Sequence, residues 1–456
     1  MPSLDRPNQL ALLIDLYQLT MAQGYFQSRK VEPATFSLFV RAYPPDRGYF
    51  VSAGLEDVLN FLEEFAFQSE DIDYLRSTKI FADEFLDFLK GLSFTGEVWA
   101  IPEGRLFFKD EPILEVTAPL IEAQLVESFI INQVNLQSLI ASKAARCVHA
   151  AQGRPVVDFS LRRTQGIDAG MKVARVSYIG GCTATSNTLA GKRYGIPIVG
   201  TMAHSFVSSF DHEIDAFRSF AASFPNSSTL LIDTYDTVVG ARRAVTVAHE
   251  MAAKGQRLKG VRIDSGDLLL LAREVRRIFD AAGLSYVKIV GSGGLDEYDL
   301  AELSEANAPY DLYGVGTRMG VCADAPWLDM AYKLVDYNGR PVLKLSTGKI
   351  SLPGPKQIFR STQPQGQLKG DLLGLRDENH RGAEPLLKKV MENARRVAPL
   401  PSLKEIRAIF LEEFGHLDDR LKSIRNPALY PVELSPRLKR LQEEIQEKIS
   451  RTQLDD

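Results

Sequence analysis

The chain has 456 residues, 45% of them apolar, and a formal net charge of −4 with 25% charged residues. At ~100 to 200 residues per domain that allows two or three domains and a full-sized core. Charge so near neutral and so well mixed argues against a nucleic-acid groove or an anionic membrane surface as the main partner, which leaves a small molecule.

The first residues, MPSLDRPNQLALLIDLYQ, have no basic flank leading into a sustained apolar run. No other window approaches the ~18 uninterrupted apolar residues of a spanning helix, so a soluble, cytoplasmic protein is expected. Cys147, Cys182 and Cys322 lie far apart without C-x-x-C spacing, which suggests neither a disulfide framework nor a zinc cage. Asn226-Ser227-Ser228 matches a glycosylation sequon but has no signal peptide to give it weight. Residues 1–125 read as an α+β domain. TFSLFVR at 35–41 alternates like a half-buried strand, GLEDVLNFLEEF is an amphipathic helix, and GEVWAIPEGRLFFKDEPILEVTAPL reads as consecutive strands.

A helical stretch around 121–152 carries the chain into a second segment, 126–335. From about 155 to 316 a β-branched run, a polar or glycine-rich cluster and a helical stretch alternate. The runs are PVVDF, IPIVG, TLLID, GVRID, VKIVG and DLYGV, spaced mostly by ~25 to 35 residues as in βαβ units. That pattern implies a parallel sheet, either open and doubly wound or closed as a (β/α) barrel. In a barrel every strand can contribute from its C-terminal end, and polar clusters follow six strands in succession, so an irregular α/β barrel is expected. The third segment, 336–456, should pack back on the N-terminal domain. It begins in the hairpin YKLVDYNGRPVLKLS, turned at Asn338-Gly339, and ends in charge-rich helices over 383–452 broken by PALYPVELSPR.

Four groups of residues at the strand ends could carry chemistry. Gly291-Ser292-Gly293-Gly294 and Gly314-Val315-Gly316-Thr317 end consecutive strands, where exposed backbone amides form an anion site that suits a sugar phosphate. Neither cluster is a dinucleotide or P-loop fingerprint. Arg162 and Arg163 follow PVVDFSL, and Arg262 sits within an otherwise apolar strand, where it needs Asp264 or an anionic ligand as partner. Asp264 and Asp267 in DSGD, with Asp233 and Asp236 in DTYDT, could bind ribose hydroxyls or hold Mg²⁺ through water. Asp267 could equally cap the helix that begins DLLLL. His204, in GTMAHSF, is one of six histidines and has no second histidine or cysteine at ligand spacing. That leaves it open as a base, a phosphoryl acceptor or a core histidine.

Together, DLYQLTMAQGYF, FSLRRTQG, GTMAHSF, LIDTYDT, VRIDSGDL and YGVGT, in that order over residues 15 to about 360, make the sequence resemble the nicotinate phosphoribosyltransferase family. The resemblance implies the irregular barrel of type II phosphoribosyltransferases. It also implies transfer of phosphoribose from 5-phosphoribosyl 1-diphosphate to nicotinate for NAD synthesis, coupled to ATP hydrolysis with Mg²⁺. His204 would be the histidine that ATP phosphorylates, catalytic together with Arg262 and Asp264. Thr201 and Arg262 would contact nicotinate, and Arg162 or Arg163 would bind carboxylate or phosphate groups. Ser292, Gly293, Gly294, Gly316 and Thr317 would hold the 5-phosphate, and Asp267 a Mg²⁺ through water. Tyr17 would stack on the pyridine ring from a partner subunit, making the protein a homodimer with shared sites. The alternative, a nicotinamide phosphoribosyltransferase, handles a neutral amide, which a site built around a carboxylate clamp should reject. A non-catalytic paralogue should have lost His204 or the glycines, and a sugar-phosphate aldolase or isomerase would want a strand-end lysine or glutamate.

Overall fold

The computed structural model describes residues 10–345 and 351–454; the first nine residues, Ser346 at the end of the hairpin and the remainder of the family-like span over 346–350 lie outside them. The chain forms two compact units, one of Met1–Leu139 with Trp327–Asp456 and one of Ile140–Pro326. Among the described residues no helix is long and apolar enough to cross a membrane.

The first unit interleaves the two ends of the chain. Its seven-stranded antiparallel sheet runs in the order Arg340–Pro341, Met330–Tyr337, Pro33–Val40, Pro112–Pro119, Glu97–Ala100, Lys388–Glu392, Arg395–Arg396. Pro33–Val40 is flanked on both sides, and side chains on both of its faces are buried, so its alternation does not mark half-burial. Thr35 and Ser37 lie inside, the Thr35 hydroxyl 2.9 Å from that of Thr117. Residues 383–396, expected as helix, are strands instead. Lys388–Glu392 pairs with Glu97–Ala100, a distant partner that overrides the helix preference of lysine and glutamate. Beyond them the expected helices do form, Leu403–Gly415 and Pro436–Ile449, and the proline-containing break between them holds the short strand Val432–Leu434. At the hairpin Asn338 and Gly339 have φ of 54° and 71°, the left-handed pair that a tight two-residue turn requires.

The second unit carries the parallel sheet. Its order is Ala184–Thr185, Val156–Asp158, Leu312–Val315, Lys288–Gly291, Gly260–Ile263, Thr229–Leu231, with every pairing parallel. Helices such as Thr237–Ala252 and Leu268–Ala281 alternate with the strands, the latter burying Ala272, Val275 and Phe279 at helical spacing. The expected closed barrel is not what the described residues form. The IPIV run joins only through a bridge from Ile198 to Thr185, and no bridge links it to Thr229–Leu231 at the other edge. Pro197 has no amide to offer a ladder, which limits what this run can pair. The fold is mixed α/β around a parallel sheet. Because all six strands run one way, their C-terminal loops gather at one edge of the sheet.

Candidate active site

Those loops enclose a cleft of about 650 Å³. Arg162, Arg163, Thr201, His204, Arg262, Asp264, Ser292, Gly293, Gly294, Gly316 and Thr317 all line it. Residues from five separate strand ends or loops therefore face one volume. Two expected residues do not. Asp267 borders an adjoining cavity of about 400 Å³ that shares Gly293 and Gly294. Tyr17 belongs to the first unit, on the helix Leu16–Gln27, where burial and then the charge of Glu127 push its phenol up.

The glycine loops are shaped by what touches them. Gly293 has φ of 99°, and a Cβ there would stand 1.7 Å from the carbonyl oxygen of Asp264, so only glycine allows the two loops to meet. At Gly314 a Cβ would strike the ring of Phe159 at 2.4 Å; the missing side chain gives that aromatic its place on the cleft wall. Ser292 donates its hydroxyl to Asp264 Oδ1 at 2.6 Å, which orients the carboxylate.

The cations are left unsatisfied by the protein itself. The side chains of Arg162 and Arg163, on the short turn Leu161–Arg163, form no ion pair among the described residues. Below them the buried Asp158 accepts from the Ser160 amide at 2.9 Å, the Ser160 hydroxyl at 2.5 Å and the Thr185 hydroxyl at 2.7 Å. Burial pushes this carboxyl up while those bonds pull it down. Arg262 donates Nη2 to the Met202 carbonyl at 3.1 Å, and its Nε is buried with no partner. Burial draws this guanidinium down and the charges of Asp264 and Asp233 draw it back, yet neither carboxylate is at ion-pair distance among the described residues. A buried guanidinium short of acceptors has the chemistry to take an anion.

Of the four aspartates, Asp264 alone lines the cleft. Asp233 serves the backbone beneath it, accepting from the Asp264 amide at 2.9 Å and the Ser265 hydroxyl at 2.6 Å. Asp236 caps Thr237–Ala252 through the Val239 amide at 2.8 Å and does not line the cleft. Asp267 caps Leu268–Ala281 through the Leu270 amide at 3.0 Å. No group of three or more metal-type ligands occurs among the described residues. His204 opens the short helix His204–Ser208, and its Nδ1 lies 3.2 Å from the Thr234 hydroxyl. Sequence reasoning missed Phe159, Ser186 and Met202 on the cleft wall, and Thr234 behind the imidazole. Phe159 had a signal, since it follows the strand Val156–Asp158 and comes shortly before the arginines.

Three family models match the chain in order. They are described as the nicotinate phosphoribosyltransferase N-terminal domain over residues 12–135, the nicotinate phosphoribosyltransferase family over 155–351, and its C-terminal domain over 379–442. Nicotinate phosphoribosyltransferase pncB2 of Mycobacterium tuberculosis is 48% identical over 430 residues, covering 94% of this chain and 92% of the relative. The Bacillus subtilis nicotinate phosphoribosyltransferase is 35% identical over 463 residues, covering 94% of each. A crystal structure of the human nicotinic acid phosphoribosyltransferase superposes with a TM-score of 0.85 at 32% identity, covering 94% of this chain and 99% of that one.

Proposed function

The chain belongs to the nicotinate phosphoribosyltransferase family, and on that premise we propose how its cleft transfers phosphoribose to nicotinate in NAD biosynthesis. The observation that carries the reading is the convergence of unpaired arginines, two glycine loops and one imidazole on a single cleft. In the reaction the pyridine nitrogen of nicotinate attacks C1 of 5-phosphoribosyl 1-diphosphate. The new N–C bond forms as the C–O bond breaks and its electron pair leaves on diphosphate. Charge builds on the sugar as an oxocarbenium ion and on the departing diphosphate, so catalysis rests on positioning and charge neutralisation. Arg262 takes the nicotinate carboxylate with Thr201 beside it. Arg162 and Arg163 face the diphosphate, and Ser292, Gly293, Gly294, Gly316 and Thr317 cradle the 5-phosphate. A neutral nicotinamide would offer the Arg262 guanidinium one carbonyl oxygen and an NH2 donor where the acid offers two anionic oxygens, which favours the acid as substrate.

Magnesium usually takes one or two carboxylates together with substrate phosphates, so the want of a three-carboxylate cluster does not conflict with it. Asp264 fits as the carboxylate at the cleft, and Asp267, at the adjoining cavity with Oδ1 on the helix cap, would reach the ion through water. When bound, Mg²⁺ would offset diphosphate charge. ATP is the co-substrate: its γ-phosphoryl passes to His204, the bond to ADP breaking as the N–P bond forms, and water later removes it. We read the parallel sheet as an incomplete barrel and the protein as a cytoplasmic homodimer. In support of the dimer, five apolar residues are exposed, most of all Ile167 at 84%: Leu161 in the short turn Leu161–Arg163, Ile167 and Leu189 in the first turns of the helices Ile167–Ile179 and Thr188–Tyr194, Ile198 in the IPIV run and Tyr235 in the loop after Thr229–Leu231. Tyr17, also exposed, would reach a partner's cleft.

The test is incubation with γ-labelled ATP. Acid-labile label should appear on the wild type and be absent from His204→Ala, with weak ATP-independent transfer surviving in the mutant. Equal labelling of the two proteins would falsify the assignment of His204.

A further inference from the structure

The two glycine clusters are tied together twice, once at the surface and once beneath it. At the surface Arg318, beside Thr317, donates Nη1 to Asp296 at 3.1 Å and to Asp299 at 2.9 Å. That guanidinium is half exposed, and solvent screens it. Beneath, Lys143 of the helix Glu127–Ala150 pairs with Glu297 and, at 2.7 Å, with Asp324. Glu297 begins the helix that follows Gly293-Gly294, and Asp324 lies in the turn that follows the Thr317–Gly320 helix. Arg146, one helical turn along from Lys143, adds an Nε bond to Glu297 at 2.9 Å. The side chains of Lys143, Arg146 and Glu297 are at most 1% exposed, and the Tyr298 ring lies 5.8 and 5.9 Å from the two cationic groups.

Glycines with φ of 99° and 70° have no side chains to hold themselves in place. Their position is set by their flanks, and a cluster so buried has little room to give. We propose that Lys143 is a positioning residue for the phosphate cleft. Its ammonium spaces the two glycine loops from below, and so sets the affinity for 5-phosphoribosyl 1-diphosphate without touching it. This rests on the reading that those loops hold the 5-phosphate. Nothing about the stretch around Lys143 singles it out in the sequence, since SKAARC is ordinary helix.

The experiment is steady-state kinetics with ribose 5-phosphate as inhibitor, which reports the sugar and 5-phosphate end of the cleft without the diphosphate. Lys143→Met should raise KM for 5-phosphoribosyl 1-diphosphate and the ribose 5-phosphate inhibition constant in parallel, by about three- to thirtyfold as for other residues coupled through a packed network. KM for nicotinate and kcat at saturation should hold near wild type. Removing a buried charge can cost the fold. Asp324→Asn therefore cuts only the second loop's tie, at a partly exposed carboxylate, and should raise the same two constants less. Thr317→Val separates the two ideas. If it raises both constants while folded Lys143→Met and Asp324→Asn do not, the role of Lys143 is overturned. An equal rise in KM for nicotinate would also overturn it, as general loosening. If Thr317→Val itself changes neither constant, the glycine loops do not hold the phosphate and the inference falls with them.

Discussion

Arg360 in the first unit and Arg262 in the second both sit on strands and both are largely withdrawn from water, but their partners differ. Arg360 donates to Asp371 at 2.6 Å, to Glu413 at 2.7 Å and to the Leu106 carbonyl at 2.9 Å, and its guanidinium lies 5.3 Å from the Phe108 ring. Arg262 has one carbonyl and a buried nitrogen left over. An arginine that serves the scaffold brings its counter-charges with it. On the proposed reading Arg262 serves a ligand: it would keep a donor in reserve, at a cost that an arriving anion would offset.

The contrast breaks first at Arg360. Arg360→Met strands Asp371 without its cation and leaves Glu413 with Arg105 alone, and breaking a buried pair this way costs about 3–5 kcal/mol. Denaturant melts should show a loss of that size, and a variant as stable as wild type would end the distinction. Arg262→Met should do the reverse. Catalytic efficiency with nicotinate should fall by about 1.5–3 kcal/mol, the worth of a hydrogen bond to a charged group, while the melting temperature holds or rises. Loss of stability without loss of nicotinate affinity would make Arg262 a second Arg360.

The smallest effect sharpens the scaffold side. Burial, and then the neighbouring charge of Asp371, push the Glu111 carboxyl well above its ordinary value of 4.5, against the pull of Arg360. A raised folded value means the proton is bound more tightly in the folded chain. Its stabilising contribution is therefore complete below pH 4.5 and is lost as pH rises through the raised value. Glu111→Gln keeps the neutral form at every pH, so its melting temperature should fall less than that of wild type as pH rises above 4.5. An unchanged pH profile would show that Glu111 ionises freely in the fold.

Several features of this chain could be read directly. The β-branched runs of the second unit became parallel strands because each is a short apolar stretch followed by glycine or polar residues, a local signal. Eleven of the residues singled out at their ends face one cleft because parallel strands deliver their loops to one edge. Other features gave a signal that two structures share. An aspartate before a helix looks the same whether it caps that helix, as Asp236 and Asp267 do, or lines a cleft, as Asp264 does. The strand Lys388–Glu392 carries residues that favour helix, and only its pairing with Glu97–Ala100 decides otherwise.

What residue order alone determined is thus where the backbone extends, where it coils and where its amides stand bare, since those follow from neighbours within a turn or two. Which arginine is satisfied, which loops share a strut at Lys143, and whether the sheet closes depended on residues from 11 to 254 positions away. Charge pairing and strand pairing act through space, and distance along the chain does not report them.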